Sequence, residues 1–168
     1  MREELLSVGI DIGTSTTQLV FSKLMIENIA SNFSVPKVEI VDKEIIYRSE
    51  IYFTPLRSPT EIDGTKVREI IEGEYKKAGI EKAKINTGAV IITGETARKE
   101  NAKEVLTTLS GFAGDFVVAT AGPDLESIIA GKGAGAHVYS KEGHTGVVNI
   151  DIGGGTSNLA LFNHGEVK

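Results

Sequence analysis

Two short stretches of this chain carry the residue types that handle phosphate. The first is Asp11-Ile12-Gly13-Thr14-Ser15-Thr16-Thr17, and the second is Asp151-Ile152-Gly153-Gly154-Gly155-Thr156-Ser157. Each follows an apolar run and precedes another, so each reads as the turn of a β-hairpin with an aspartate at the strand end. Gly13 lets backbone approach an anion, and successive N–H groups with the hydroxyls of Thr14, Ser15, Thr16 and Thr17 can form a nest around it. In the second copy Gly153, Gly154 and Gly155 give the backbone access, and Thr156 and Ser157 add donors. A carboxylate repels phosphate, so Asp11 and Asp151 belong on the cation side. Mg²⁺ suits them because it takes few carboxylates and keeps several waters. Two such hairpins facing each other could grip a polyphosphate and its metal, and phosphoryl transfer needs mainly that positioning and charge neutralisation.

The elements that must position these loops follow from periodicity. Leu6 to Ile12 and Thr16 to Leu24 read as paired strands. Val35 to Val41, Glu44 to Tyr47 and Ile51 to Phe53 extend an antiparallel meander. A helix begins near Thr60 to Asp63 and ends at Gly79, with Val67, Ile70, Ile71 and Tyr75 at helical spacing. The order then becomes strand (Ala89 to Thr93), helix (Thr96 to Leu109), strand (Phe116 to Thr120) and helix (Pro123 to about Ala136). The hairpin Val147 to Asp151 with Leu159 to Phe162 closes it. Strand–helix–strand–helix–strand order, with Val147 to Asp151 as the last strand, implies parallel neighbours, so the fold class is α/β, a mixed sheet with flanking helices.

The 168 residues are enough for a sizeable core, and the net charge of −5 with no basic block argues against nucleic acid and anionic membrane. No apolar stretch approaches a membrane span, and the first residues lack the apolar core of a signal peptide, which points to the cytoplasm. With no cysteine, disulfides and thiolate metal sites are excluded. Gly131-Lys132-Gly133-Ala134-Gly135-Ala136 mimics a dinucleotide fingerprint but follows a helical stretch, so it reads as a helix end or a tight helix–sheet contact. Glu95 fits a helix N-terminus, as do Asp124 and Glu126. His137, His144 and His164 show no metal-ligand spacing.

The paired loops resemble the two phosphate motifs of the actin, DnaK-type chaperone and sugar-kinase ATPase superfamily. Longer blocks narrow the resemblance: Ser7 to Ser22, Tyr47-Arg48-Ser49, Phe53-Thr54-Pro55-Leu56, Thr87 to Ala102 and Ala119 to Ser127. They are similar to the ethanolamine ammonia-lyase reactivating factor of ethanolamine-utilisation operons. That resemblance implies an ATP- and Mg²⁺-dependent, chaperone-like protein whose partner is ethanolamine ammonia-lyase, an adenosylcobalamin enzyme from which it releases damaged cobalamin. It implies that Asp11 and Asp151 organise Mg²⁺ and the attacking water. Gly13, Thr14, Ser15 and Thr16 would hold phosphates with Gly153, Gly154, Gly155 and Thr156. Glu126 falls where the superfamily's connecting helix carries a water-activating group. A cytoplasmic location, association with a bacterial microcompartment and a homo-oligomer are all compatible with it.

In that superfamily the adenosine motif and a second connecting helix follow the second phosphate loop, whereas these residues end at Lys168. The resemblance therefore implies that residues 1–168 are the N-terminal lobe of an actin-like, ribonuclease H-like ATPase fold. Such a lobe is expected to fold alone and to bind ATP weakly or not at all, with ATPase activity belonging to the full-length protein. Two other functions use the same loops: a small-molecule kinase of the superfamily, and an actin-like filament or scaffold protein.

Overall fold

The computed structural model describes residues 2–30, 37–112, 115–120, 123–154 and 157–168. β1 (Arg2–Ile12) turns into β2 (Thr16–Asn28), which pairs onward with β3 (Val38–Arg48), all antiparallel. Alternation along β1 and β2 sends Val8, Ile10, Ile12, Leu19 and Phe21 to one buried face. The sequence predicts two strands where β3 is one. Asp42 and Lys43 read as a turn, but the strand runs on beside β2, with register shifts between Phe21 and Ser22 and between Met25 and Ile26. Residues 35 and 36 of the predicted strand lie outside the described residues. β4 (Tyr52–Phe53) pairs with the first two residues of β2, and β5 (Leu56–Ser58) with β6 (Glu61–Ile62) makes a small separate ladder.

α1 (Gly64–Ala78) starts and stops as its residues predict. The Asp63 side chain accepts the N–H of Lys66, and Gly79 closes the helix with a φ of 67°. Val67, Ile71 and Tyr75 pack onto the apolar face of the sheet. β7 (Thr87–Ile92) lies parallel to β1, and β8 (Asp115–Thr120) lies parallel to β7. The sheet order is β3-β2-β1-β7-β8. Between β7 and β8 the predicted helix from Thr96 is cut short: Gly94–Arg98 forms a 3-10 turn, and α2 begins only at Ala102–Leu109. The cause is competition for polar groups. The Asn101 side chain accepts the N–H of Ile62 and donates to its carbonyl, and the Thr96 hydroxyl is engaged elsewhere.

The last third builds a second layer. The helix predicted to run to Ala136 divides at Gly135, where φ is 80°, into α3 (Pro123–Gly133) and α4 (Ala136–Glu142). Both pack on an independent sheet of order β11-β10-β9, made by β9 (Gly146–Ile152), β10 (Ser157–Asn163) and β11 (Glu166–Val167). Its helix-facing side carries Ala160 and the fully buried Phe162; its other side leaves Val148, Ile150, Ile152, Leu159 and Leu161 exposed. Gly131 is the tight helix–sheet contact that the sequence suggests: a Cβ there would stand 2.4 Å from the Phe162 ring.

That contact yields a stability prediction. Gly131→Ala would gain about 0.5–1 kcal/mol of helix propensity. Forcing a methyl group into a filled contact costs about 1–3 kcal/mol. Urea unfolding should show a net loss of stability; a gain would mean that Phe162 gives way freely.

Candidate functional site

The carboxyl ends of β1, β7 and β8 lie in register, with Ile12 opposite Ile92 and Ile92 opposite Thr120. In open α/β sheets the loops leaving such an edge hold ligands. Here the edge carries the first hairpin loop, the Thr93 to Thr96 turn and, on α3, Glu126. The second hairpin meets the first across this edge: a Cβ on Gly154 would stand 2.3 Å from the Ser15 hydroxyl. The two phosphate-type loops therefore share one crevice. Gly155 and Thr156 lie outside the described residues.

The polar groups of the first loop are divided between structure and crevice. The N–H of Gly13 donates to the Thr16 carbonyl at 2.8 Å, so the loop's donors for an anion begin at Thr14. The Gly13 carbonyl accepts from Thr54 Oγ1 at 2.8 Å and from Thr96 Oγ1 at 3.1 Å. Thr14 Oγ1 accepts the N–H of Glu95 at 2.9 Å, which leaves its own proton to donate. Thr17 is not available: it is wholly buried, its hydroxyl 3.1 Å from that of Thr54. The expectation of four ligand-facing hydroxyls is thus corrected. In a strand alternation that places Leu19 and Phe21 inward, Thr17 faces inward too.

Three residues in this network escape the sequence reading: Thr54, Thr93 and Thr96. Thr93 Oγ1 donates to Asp11 Oδ1 at 3.4 Å, and the Thr93 N–H bonds the Ile12 carbonyl at 3.1 Å. Gly94, at a φ of 58°, is the residue that allows close approach, since a Cβ there would lie 2.3 Å from Thr14 Oγ1. Glu95 contributes its backbone to the loop, while its side chain pairs with Arg98. The available signal is a third strand end with small and hydroxylated residues, Thr93-Gly94-Glu95-Thr96, directly after the apolar run of β7.

Glu126 and Asp151 each fall within electrostatic reach of Asp11 at the crevice. Asp11 keeps contact with solvent on the open face of the sheet, yet surrounding protein desolvates it and pushes its pKa up to about 6. The Thr93 hydrogen bond opposes that rise, and the charges of Glu126 and Asp151 add to it. Glu126 Oε2 is buried without a hydrogen-bond partner among the described residues. Converging acids and an orphaned carboxylate oxygen fit a cation with its waters. Among the described residues no group of three His, Cys, Asp or Glu side chains is placed to hold a metal ion by itself.

The raised pKa has a sign that can be checked. Below the unfolded aspartate value of about 4 both states are protonated and there is no penalty. As pH rises through about 6, ionising Asp11 increasingly opposes folding. Asp11→Asn should therefore raise the thermal midpoint at pH 8 and leave it nearly unchanged at pH 4. Equal shifts at both pH values would remove the electrostatic explanation.

Comparison with known proteins agrees with this architecture. Residues 3–168 match the family model described as "Ethanolamine utilisation protein EutA". The chain is 48% identical over 165 residues to the "Ethanolamine ammonia-lyase reactivase EutA" of Escherichia coli K12, covering 98% of this chain and 35% of that protein. The protein of the same name from Salmonella typhimurium LT2 gives the same identity and coverage. The chain thus spans about a third of the length of these curated relatives. Among solved structures, a Ppx/GppA family member of Aquifex aeolicus is similar with a TM-score of 0.58 at 20% identity, over 99% of this chain and 50% of that one. MreB 5 of Spiroplasma citri, solved with AMPPNP, gives 0.51 at 16% identity, over 98% and 51%. These likenesses show a fold shared with the Ppx/GppA member and with MreB 5, and the family match is specific: the chain belongs to the EutA family of ethanolamine utilisation proteins.

Proposed function

We propose that this chain is the N-terminal, phosphate-handling part of an ATP-dependent factor that reactivates ethanolamine ammonia-lyase by releasing its damaged cobalamin. The observation that carries the nucleotide part is the meeting of the two hairpin loops, Ser15 against Gly154, with Glu126 and Asp151 both close enough to act on Asp11. The client is proposed from the printed names of the two relatives.

In this reading Asp11 and Asp151 hold Mg²⁺, which supplies charge neutralisation for the phosphate oxygens. Thr14, Ser15 and Thr16 donate to phosphate from one hairpin, and Gly153 to Thr156 from the other. The orphaned Oε2 of Glu126 accepts a proton from the attacking water. The chain spans about a third of the length of its curated relatives, and in this reading the adenosine-binding part lies in the rest of that length. ATP held between two lobes favours one lobe orientation, and a client that binds the two orientations unequally is remodelled by the switch.

The test uses the full-length protein. Ethanolamine ammonia-lyase inactivated with cyanocobalamin is given adenosylcobalamin and Mg²⁺, and recovered deamination is followed with and without ATP. Recovery is expected only with ATP, and Asp11→Ala should abolish it while the circular dichroism spectrum stays unchanged. Glu126→Gln should bind ATP and slow its hydrolysis by about 10²–10⁴-fold. Recovery without ATP would overturn the proposal.

A further inference from the structure

Glu74 is a charged side chain with no exposed surface, and nothing in the crevice explains it. It sits on the last half of α1, just beneath the surface. A buried carboxylate is costly unless fully satisfied, and this one is. Oε2 accepts from the Tyr47 hydroxyl at 2.8 Å, and Oε1 accepts from the Tyr52 hydroxyl and from Lys77 Nζ at 2.8 Å. Lys77 also donates to the Tyr52 oxygen at 2.8 Å.

The two tyrosines differ in what they anchor. Tyr47 belongs to β3, an 11-residue strand held by a long ladder to β2. Tyr52 belongs to β4, which has two residues. β4 has little else to hold it: Ile51 is 70% exposed and Phe53 87%. Yet the next residue, Thr54, is central to the first phosphate loop. Its hydroxyl donates to the Gly13 carbonyl at 2.8 Å, and its N–H donates to the Ser15 carbonyl at 2.9 Å. β4 itself pairs Tyr52 with Thr17 and Phe53 with Thr16, on the far side of the same loop.

We propose that Glu74 is a positioning residue for phosphate binding: through Tyr52 it clamps β4, and through Thr54 it fixes the first phosphate loop. The functional half rests on the nucleotide reading given above; the mechanical half does not. Tyr47→Phe and Tyr52→Phe each remove one hydrogen bond to the same carboxylate, and Tyr52→Phe also removes the one from Lys77; a merely structural role predicts a loss of overall stability in each, with no selective change at Thr54. The clamp predicts a difference, because only Tyr52 leads to Thr54.

Two readouts on the full-length protein separate these cases: amide hydrogen exchange at Thr54, and Mg²⁺-ATP affinity by calorimetry. Tyr52→Phe and Glu74→Gln should speed Thr54 exchange and weaken Mg²⁺-ATP binding, each by about tenfold, the worth of one ordinary hydrogen bond. Tyr47→Phe should leave both within about twofold, on the same scale. Equal effects of the two tyrosine variants, or none on Thr54 exchange, would overturn the clamp. Altered exchange with unaltered affinity would overturn its functional half. A wild-type protein that fails to bind Mg²⁺-ATP would sink the nucleotide reading, while the exchange comparison still decides whether the clamp exists.

Discussion

Placing Asp11, Glu126 and Asp151 around one crevice works against folding, and much of the architecture can be understood as what tolerates it. Desolvation, with the charges of Glu126 and Asp151 adding to it, pushes Asp11 up to about 6, so ionising Asp11 lowers stability. The strain has to be offset elsewhere, as is common where a site trades stability for chemistry. The offset is the continuous core beneath the other face of the main sheet, where β1, β2 and β7 bury Val8, Ile10, Ile12, Leu19, Phe21, Val90 and Ile92 under α1 and α2. The period-two alternation that buries Ile10 and Ile12 is the same alternation that turns Asp11 out of that core. One pattern thus supplies both the cost and its compensation.

The two acids on the other side arrive by separate routes. Glu126 comes from the first turn of α3, whose start is set by Pro123, a residue compatible with a helix entry because the missing N–H would be unpaired there. Asp151 comes near the end of β9, in a sheet that makes no strand pairing with the main one among the described residues. The crevice is therefore a junction between two separately built units. A junction of that kind can open or close without breaking a sheet.

Local chemistry made much of this visible in the sequence. Both hairpins, the ends of α1 and the contact role of Gly131 follow from alternation, caps and glycine placement over short spans, whereas β9, which strand–helix alternation makes a further parallel neighbour, lies in a sheet of its own. What stayed hidden depends on partners far apart in the chain. Thr54 bonds Gly13 across 41 residues and Thr96 bonds it across 83. The same distant bonds explain the errors. A helix from Thr96 is a fair reading of local propensity, but Thr96 and Asn101 are committed to Gly13 and Ile62. β3 was read as two strands because Asp42 and Lys43 resemble a turn, whereas pairing with β2 carries the chain through.

The first phosphate loop shows why such distant bonds matter for function. A short loop of one glycine and small hydroxylated residues has little packing of its own, so its conformation must be imposed from outside. Here the Gly13 carbonyl is held from two sides, by Thr54 on the β4 side and Thr96 on the β7 side. Thr93 holds Asp11, and the backbone of Glu95 holds Thr14. Most of these holding groups sit on turns, which are themselves weakly fixed. Rigid elements must then stand behind them: β7 is locked into the parallel sheet, and β4 is tied to α1 through Tyr52 and Glu74. Preorganisation is thereby passed from the packed layers to the loop, and the loop can remain small and polar.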